Sequence, residues 1–392
     1  MEQIKYIIVF CILIQVNGMS IPFLNNTILT AIRPISLDII LTNYTCLQCI
    51  CLALQNSSLI AFNYYPNSTC QFFINYPKTY ELQSSYNSRL YFVQDIFPNA
   101  SNPCCISNIT FILEKLQKYY EYDIYISVDV PTPRCLLLDD DGSVVTIEQI
   151  SDTASSFDRF DPETLSFRQQ TVLGARPTNI AYFDYKYYIG WDVNNTISVF
   201  SNNYDNNSLR FITNIQGTTI NMSAVRDMIF LNDGQIMVVA SATNQRLFFF
   251  SLTNNTNYTM ISTISLNYQT PHGLHRVNDS FFYVVSWDNP SLYAYNYNET
   301  TSNWTETLFV NATINSTIYG AHMTIDDCNR RWFTMYNYGI KIYDENGINL
   351  DNWYLGAGYF DTLLLDNYTV ILSNTANSKV IRIDPQLQCD EN

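Results

Sequence analysis

Three histidines and a handful of aspartates carry most of the chemistry open to this sequence, and four of these residues stand in equivalent places. His272 follows Pro271, His322 follows Ala321, Asp227 closes Val225-Arg226-Asp227, Asp361 follows Phe360, and Asn179 closes Pro177-Thr178-Asn179. Each sits where an apolar strand begins, at successive intervals of 39 to 50 residues. Imidazole, carboxylate and amide groups converging at one register could hold a divalent metal such as zinc, manganese or calcium, with His272, His322 and Asp227 as ligands. Asp361 or Asn179 would then position substrate or water. The same five could equally grip a polar ligand directly, or simply hydrogen-bond one another and solvent as strand ends do. His275 lies three positions past His272, and strand alternation sends it to the opposite face.

Other chemistry is harder to find. Asp139-Asp140-Asp141-Gly142 has the density of a cation loop, but Asn232-Asp233-Gly234 stands in the same place of a later unit, so a hairpin corner is the expected reading. The sequence has no Gly-x-Ser-x-Gly elbow, phosphate loop, Gly-x-Gly-x-x-Gly or His-Glu-x-x-His. An enzyme assembling its site from distant segments would leave no such motif.

What must position the five residues is a repeat running from Arg134 onward. Six times an apolar strand is followed by a polar turn and a second alternating strand: 143–147 with 157–160, 187–191 with 196–200, 235–240 with 246–250, 281–287 with 291–295, 331–336 with 339–343, and 369–372 with 379–383. A further strand precedes each hairpin, starting near Cys135, Asn179, Asp227, His272, His322 and Asp361. Units of about this length with four strands each are the signature of a β-propeller, in which radial sheets bury both faces and leave short edges. Six units imply six blades, with first strands lining a central channel. The competing architecture is a β-sandwich or a pair of small β-domains.

Upstream the composition changes. Of ten cysteines, seven fall between Cys46 and Cys135, as in a disulfide-stapled module of an oxidising compartment. Residues 1–18, with Lys5 and the apolar run Tyr6 to Val16, read as a secretory signal. No later segment is apolar enough to span a membrane. Net charge is −15, with scattered cations, which excludes a nucleic-acid binder. Seventeen Asn-x-Ser/Thr sequons, among them Asn43, Asn67, Asn108, Asn206, Asn254, Asn298 and Asn367, fit a secreted, extracellular glycoprotein. Two helices are expected here, one after Thr45 carrying Leu47, Ile50 and Leu54, and one capped by Ser107 or Asn108 carrying Phe111, Ile112 and Leu116.

Two resemblances refine this picture. The Pro271-His272-Gly273-Leu274 unit start and the repeated hairpins resemble six-bladed propellers of the NHL and gluconolactonase-like type; Trp191-Asp192 and Trp287-Asp288 resemble WD-type repeats, without their companion Gly-His. Cys46, Cys49 and Cys51 on a short helix, the strand Ala61 to Tyr65, and Cys70 with Phe72-Phe73 resemble a degenerate PAN/apple module. That resemblance implies a disulfide from Cys70 to Cys49 or Cys51. Outside this module Cys328 is expected to pair with Cys389, with Cys135 to Cys389 as the alternative that staples the first blade to the last.

The sequence thus predicts a mainly β protein: signal peptide 1–18, a small disulfide-rich α+β module over 19–133, and a six-bladed β-propeller over 134–389. The expected function is extracellular recognition of a protein, glycan or small ligand at the channel mouth, without nucleic acid. The alternatives are a metal-assisted hydrolase or lyase of the lactonase-like class and a structural matrix component. A divalent metal is the only cofactor in view.

Overall fold

The computed structural model describes residues 23–31, 39–55, 59, 61–73, 80–92 and 106–387, apart from short gaps at 150, 152, 175, 193–195, 204–207, 217–221, 233, 255–256, 269, 314–316 and 366–367. The expected signal segment 1–18 and Cys389 lie outside the described residues. The chain forms two compact units that divide between Asn102 and Pro103.

In the first unit one five-stranded sheet runs in the order Phe23–Ala31, Tyr80–Phe92, Ala61–Tyr65, Thr69–Phe73, Ile39–Thr42. A helix, Cys46–Gln55, begins in a capping box: the backbone N–H of Thr45 donates to Gln48 Oε1 at 2.8 Å, and the N–H of Gln48 donates to Thr45 Oγ1 at 3.3 Å. Its inner face packs Cys49 and Ala53 against Phe62, Phe72 and Tyr91. The Cys49–Cys70 disulfide ties helix to sheet. Such a staple suits a unit too small to bury a large core of its own.

The second unit is a six-bladed propeller. Five four-stranded antiparallel sheets follow one another in chain order, and their innermost strands are Pro133–Leu138, Pro177–Phe183, Val225–Leu231, Pro271–Asn278 and Tyr319–Ile325. The sixth sheet has Tyr359–Leu364 innermost, then Val370–Asn374 and Lys379–Ile383. Its outermost strand is Ile126–Asp129, which precedes the first blade in sequence. Innermost strands touch their neighbours in cyclic order, the sixth meeting the first, so the ring is closed.

Blades hold together by burying both faces, which is why their middle strands read as continuous apolar runs rather than alternating ones. Ile236–Ser241 and Phe281–Ser286 are buried along nearly their whole length. One apolar cluster fills each of the six seams; Met228, Met237 and Phe248 of the third blade, for example, meet Tyr188 and Val199 of the second. Two glycines permit the close approach. A Cβ on Gly190 would lie 2.5 Å from Val225 Cγ1, and one on Gly320 would lie 2.3 Å from the Ser286 carbonyl oxygen.

Closure differs from the sequence-based expectation in two respects. The segment from Ile106 to Asp129, expected in the Cys-rich module, belongs to the propeller unit because its apolar residues are needed there. Helix Ile109–Glu121, capped by Asn108, sets Ile109, Ile112, Leu113 and Leu116 against Trp353, Tyr359 and Ile383. The Arg330 guanidinium donates to the Ile106 carbonyl at 3.0 Å and to the Tyr368 hydroxyl at 2.8 Å. Cys135, offered as a partner for Cys389, is instead a free buried thiol in the seam between the first two blades. The ring is sealed by an exchanged strand, which satisfies the open edge of Lys379–Ile383 with backbone hydrogen bonds. Cys328 is disulfide-bonded, and its partner lies outside the described residues.

The helix and the exchanged strand together make a direct prediction. A chain starting at Arg134 should melt more than about 10 °C below one starting at Pro103 and self-associate through the bared edge. Equal melting temperatures would show that Ile126–Asp129 is dispensable.

Candidate functional site

Every innermost strand carries a β-bulge at its first turn of register. The irregularities fall between Pro133 and Leu136, Pro177 and Asn179, Val225 and Asp227, Pro271 and Leu274, Gly320 and His322, and Tyr359 and Asp361. A bulge adds a residue to one strand and re-aims its neighbours, so residues at the start of each innermost strand turn toward the axis. The recess they enclose is lined by Arg134, Cys135, Asn179, Arg226, Asp227, His272, Gly273, Ala321, His322, Phe360 and Asp361, all drawn from the six bulges.

All five residues singled out from the sequence, Asn179, Asp227, His272, His322 and Asp361, therefore meet at one mouth of the channel. His275 is not among the lining residues, as alternation implied. The sequence reading missed Arg134, Cys135, Arg226 and Phe360. The first blade has no polar residue of the expected type at that register, and the other two immediately precede residues that were chosen. Widening each position to a pair would have found them.

Most of these groups also join one blade to the next. The Cys135 thiol engages the backbone of Ile180, and Thr178 Oγ1 donates to the Val225 carbonyl. Asp227 Oδ2 accepts from Leu274 N–H at 2.5 Å, and His272 Nδ1 donates to the Ala321 carbonyl at 2.8 Å. His322 Nδ1 lies 2.6 Å from Asp361 Oδ1, and Asp361 Oδ2 accepts from Leu136 N–H at 2.7 Å. Together these six links form a belt around the whole ring.

The electrostatics follow from burial. Burial would lower the His322 imidazole, but the Asp361 carboxylate and then Asp227, 3.7 Å away, overcome it and raise the group to about 9. Burial pushes Asp227 up to about 7 against the pull of His322 and of the Leu274 and Met228 N–H groups. Burial pulls His272 down to about 3, aided by Arg226, so the ring is neutral. With Nδ1–H donated to Ala321, its Nε2 is an acceptor. Arg134 and Arg226 are held below the ordinary arginine value, first by burial and then by neighbouring guanidiniums. Asp192 offsets part of this charge, at 3.4 Å from Arg176 and 3.6 Å from Arg226.

Three buried polar atoms in this recess have no hydrogen-bond partner: Arg134 Nε, Asn179 Oδ1 and His322 Nδ1, the last facing Asp361 at ion-pair distance but outside hydrogen-bond geometry. Free space is small, with room for the centre of a water-sized group over about 10 Å³. A small polar group fits; a whole ligand must extend outward from the mouth.

The expected metal set of His272, His322 and Asp227 is not assembled. Among the described residues no cluster of three or more His, Cys, Asp or Glu side chains is arranged to hold an ion. The reason is visible at His322, whose imidazole is held protonated with both nitrogens facing carboxylates and so has no lone pair for an ion. The Asp139–Asp141 corner is likewise an ion-pair node, with Arg159 donating to Asp139 Oδ2 at 2.7 Å and to Asp141 Oδ2 at 2.6 Å.

No protein-family model matches the chain. No curated protein matches it either. Solved structures do. One from Lactobacillus plantarum is 13% identical, with a TM-score of 0.50 over 62% of this chain and 77% of its own. A candidate 6-phosphogluconolactonase from Bacteroides fragilis is 15% identical, with a TM-score of 0.50 over 62% of this chain and 77% of its own. At this identity the likeness is one of fold: the second unit is a β-propeller similar to lactonase-like ones.

Two predictions follow from the belt. Asp361→Ala strands the N–H groups of Leu136 and Thr362, which should cost about 3–5 kcal/mol in denaturant unfolding; a loss below about 1 kcal/mol would remove the belt's structural role. Stability should also fall as pH rises from 7 to 9. The His322 value in the folded protein, about 9, exceeds its ordinary 6.5, so its contribution is complete below 6.5 and lost through 9. Asp227, also raised, loses its contribution at lower pH, between about 4 and 7. His272 and His275, both lowered to about 3, act oppositely, but only below 6.5. The slope between pH 7 and 9 should amount to on the order of 1–3 kcal/mol and flatten in His322→Gln.

Proposed function

We propose that this protein is a recognition protein of the extracellular space, whose propeller binds a small polar ligand with an acidic group at the bulge-lined mouth. The observation that carries this reading is the coincidence of two guanidiniums, Arg134 and Arg226, with two unpartnered buried polar atoms, Arg134 Nε and Asn179 Oδ1, in one recess. Buried polar groups are nearly always partnered in folded proteins, so a cluster without partners is where an outside group is received. A carboxylate or phosphate supplies the acceptor oxygens that guanidiniums take. Its charge is opposite to that of these two guanidiniums, although the chain as a whole carries −15.

Secretion and glycosylation belong to the same proposal. Asn43, Asn67, Asn108 and Asn298 are exposed and accessible to glycan attachment, whereas Asn206 and Asn367 lie outside the described residues. The first unit, with its helix tied to the sheet by Cys49–Cys70, serves as the degenerate PAN/apple module.

His322 favours a second reading. Its side chain is 24% exposed at the mouth and stands between Asp361 and Asp227, where one group is raised to about 9 and the other to about 7. A proton shared by such a pair can be given and retaken near neutral pH, which suits hydrolysis of an ester or lactone by acid–base chemistry. Turnover of such substrates, lost in His322→Gln and indifferent to chelators, would establish it.

Binding is tested by thermal shift with acetate and inorganic phosphate. At about ten times the dissociation constant either anion should raise the melting temperature by about 3 °C, and Arg226→Gln should abolish the shift. No shift, or one unchanged in Arg226→Gln, contradicts the proposal.

A further inference from the structure

An anion alone does not complete this recess, because the unpartnered atoms are of both kinds. Arg134 Nε is a donor and is met by an acid oxygen. Asn179 Oδ1, in a residue only 7% exposed, is an acceptor and needs a donor. The Nε2 of neutral His272 is a second acceptor in the same lining. The ligand must therefore bring hydroxyl or amide hydrogens together with its acidic group.

An aromatic wall stands beside these groups. The Trp287 ring lies 4.6 Å from His272 and 5.7 Å from Phe360, both lining residues, and is extended by Tyr319 at 5.1 Å and Tyr336 at 5.5 Å. Trp287, Tyr319 and Tyr336 are all partly exposed. Phe360 also carries the Arg134 guanidinium 5.0 Å above its ring, so it touches both the wall and the cation. The mouth thus offers an aromatic surface beside guanidiniums and mixed hydrogen-bonding atoms.

Resting on the anion-binding reading above, we infer that the ligand is a saccharide in its ring form bearing a carboxylate, of the hexuronic type, presented as the end of a glycan. The C–H face of a pyranose packs against the exposed edge of the Trp287, Tyr319 and Tyr336 cluster, its hydroxyls donate to Asn179 and His272 and accept from the cations, and its carboxylate reaches Arg134 and Arg226. An apolar aromatic acid would leave Asn179 Oδ1 unpaired, and a neutral sugar would leave the guanidiniums without a counter-charge.

Calorimetric titration with methyl glucuronide, methyl glucoside, acetate and benzoate tests the inference. The ring-locked glucuronide should bind at least about tenfold more tightly than acetate, benzoate or the glucoside. Trp287→Phe should remove most of that advantage while leaving acetate binding intact, and the wild-type tryptophan emission should shift on adding glucuronide but not acetate. If glucuronide binds no better than acetate, or benzoate binds best, the saccharide inference falls and anion binding stands. If none of the four binds, both fall.

Discussion

A belt of hydrogen bonds and one ion pair at the bulges is the interaction on which this molecule depends. Apolar packing holds each seam, but packing is non-directional and fixes neither the number of blades nor their relative height. The belt supplies that direction. Each bulge offers a polar atom to the next blade at one height, from Cys135 through Thr178, Asp227, His272 and His322 to Asp361, which returns to Leu136 of the first blade. The exchanged strand Ile126–Asp129 seals the rim of the same ring, so closure is secured both at the channel and at the outer edge.

The belt explains why site and scaffold cannot be separated. A side chain aimed at the axis by a bulge can reach either the neighbouring blade or the channel. Asp227 and Asp361 reach the neighbour with one oxygen and their own strand with the other, by accepting from Met228 and Thr362. At the second blade the interblade bond is made by Thr178, which leaves Asn179 with its oxygen unpaired at the mouth. Where latching needs are met by a neighbour, the spare polar atom becomes available to a ligand. The same economy removes His322 from any metal set, because both of its nitrogens are turned to the carboxylates of Asp361 and Asp227.

Much of the propeller was legible in the sequence because its periodicity is physical. Two-sided burial writes apolar runs, turns write Asn, Asp and Gly, and the bulge register writes a polar residue after each strand start. His272, His322, Asp227, Asp361 and Asn179 converge because they share that register. The helix Ile109–Glu121 was legible as a helix from Ile112 and Leu116, but not as part of the propeller, since its amphipathic stripe is indifferent to which core receives it. Strand Ile126–Asp129 was illegible for a similar reason: four residues on an exposed rim carry no strong pattern, and pairing with Lys379–Ile383 is a long-range event. Arg134 and Arg226 were overlooked because a bulge breaks strict alternation, placing two successive side chains on the face where the pleat allows one.

Amide hydrogen exchange at Leu136 and Leu274 is the most direct measurement of the belt. Both N–H groups donate to belt carboxylates rather than to a strand partner. They should exchange only on global unfolding, as slowly as the amides of the fully buried strand residues Val238 and Val239. Exchange of either amide by local opening, orders of magnitude faster than those core positions, would show that the carboxylates do not clasp the blades and would contradict the account.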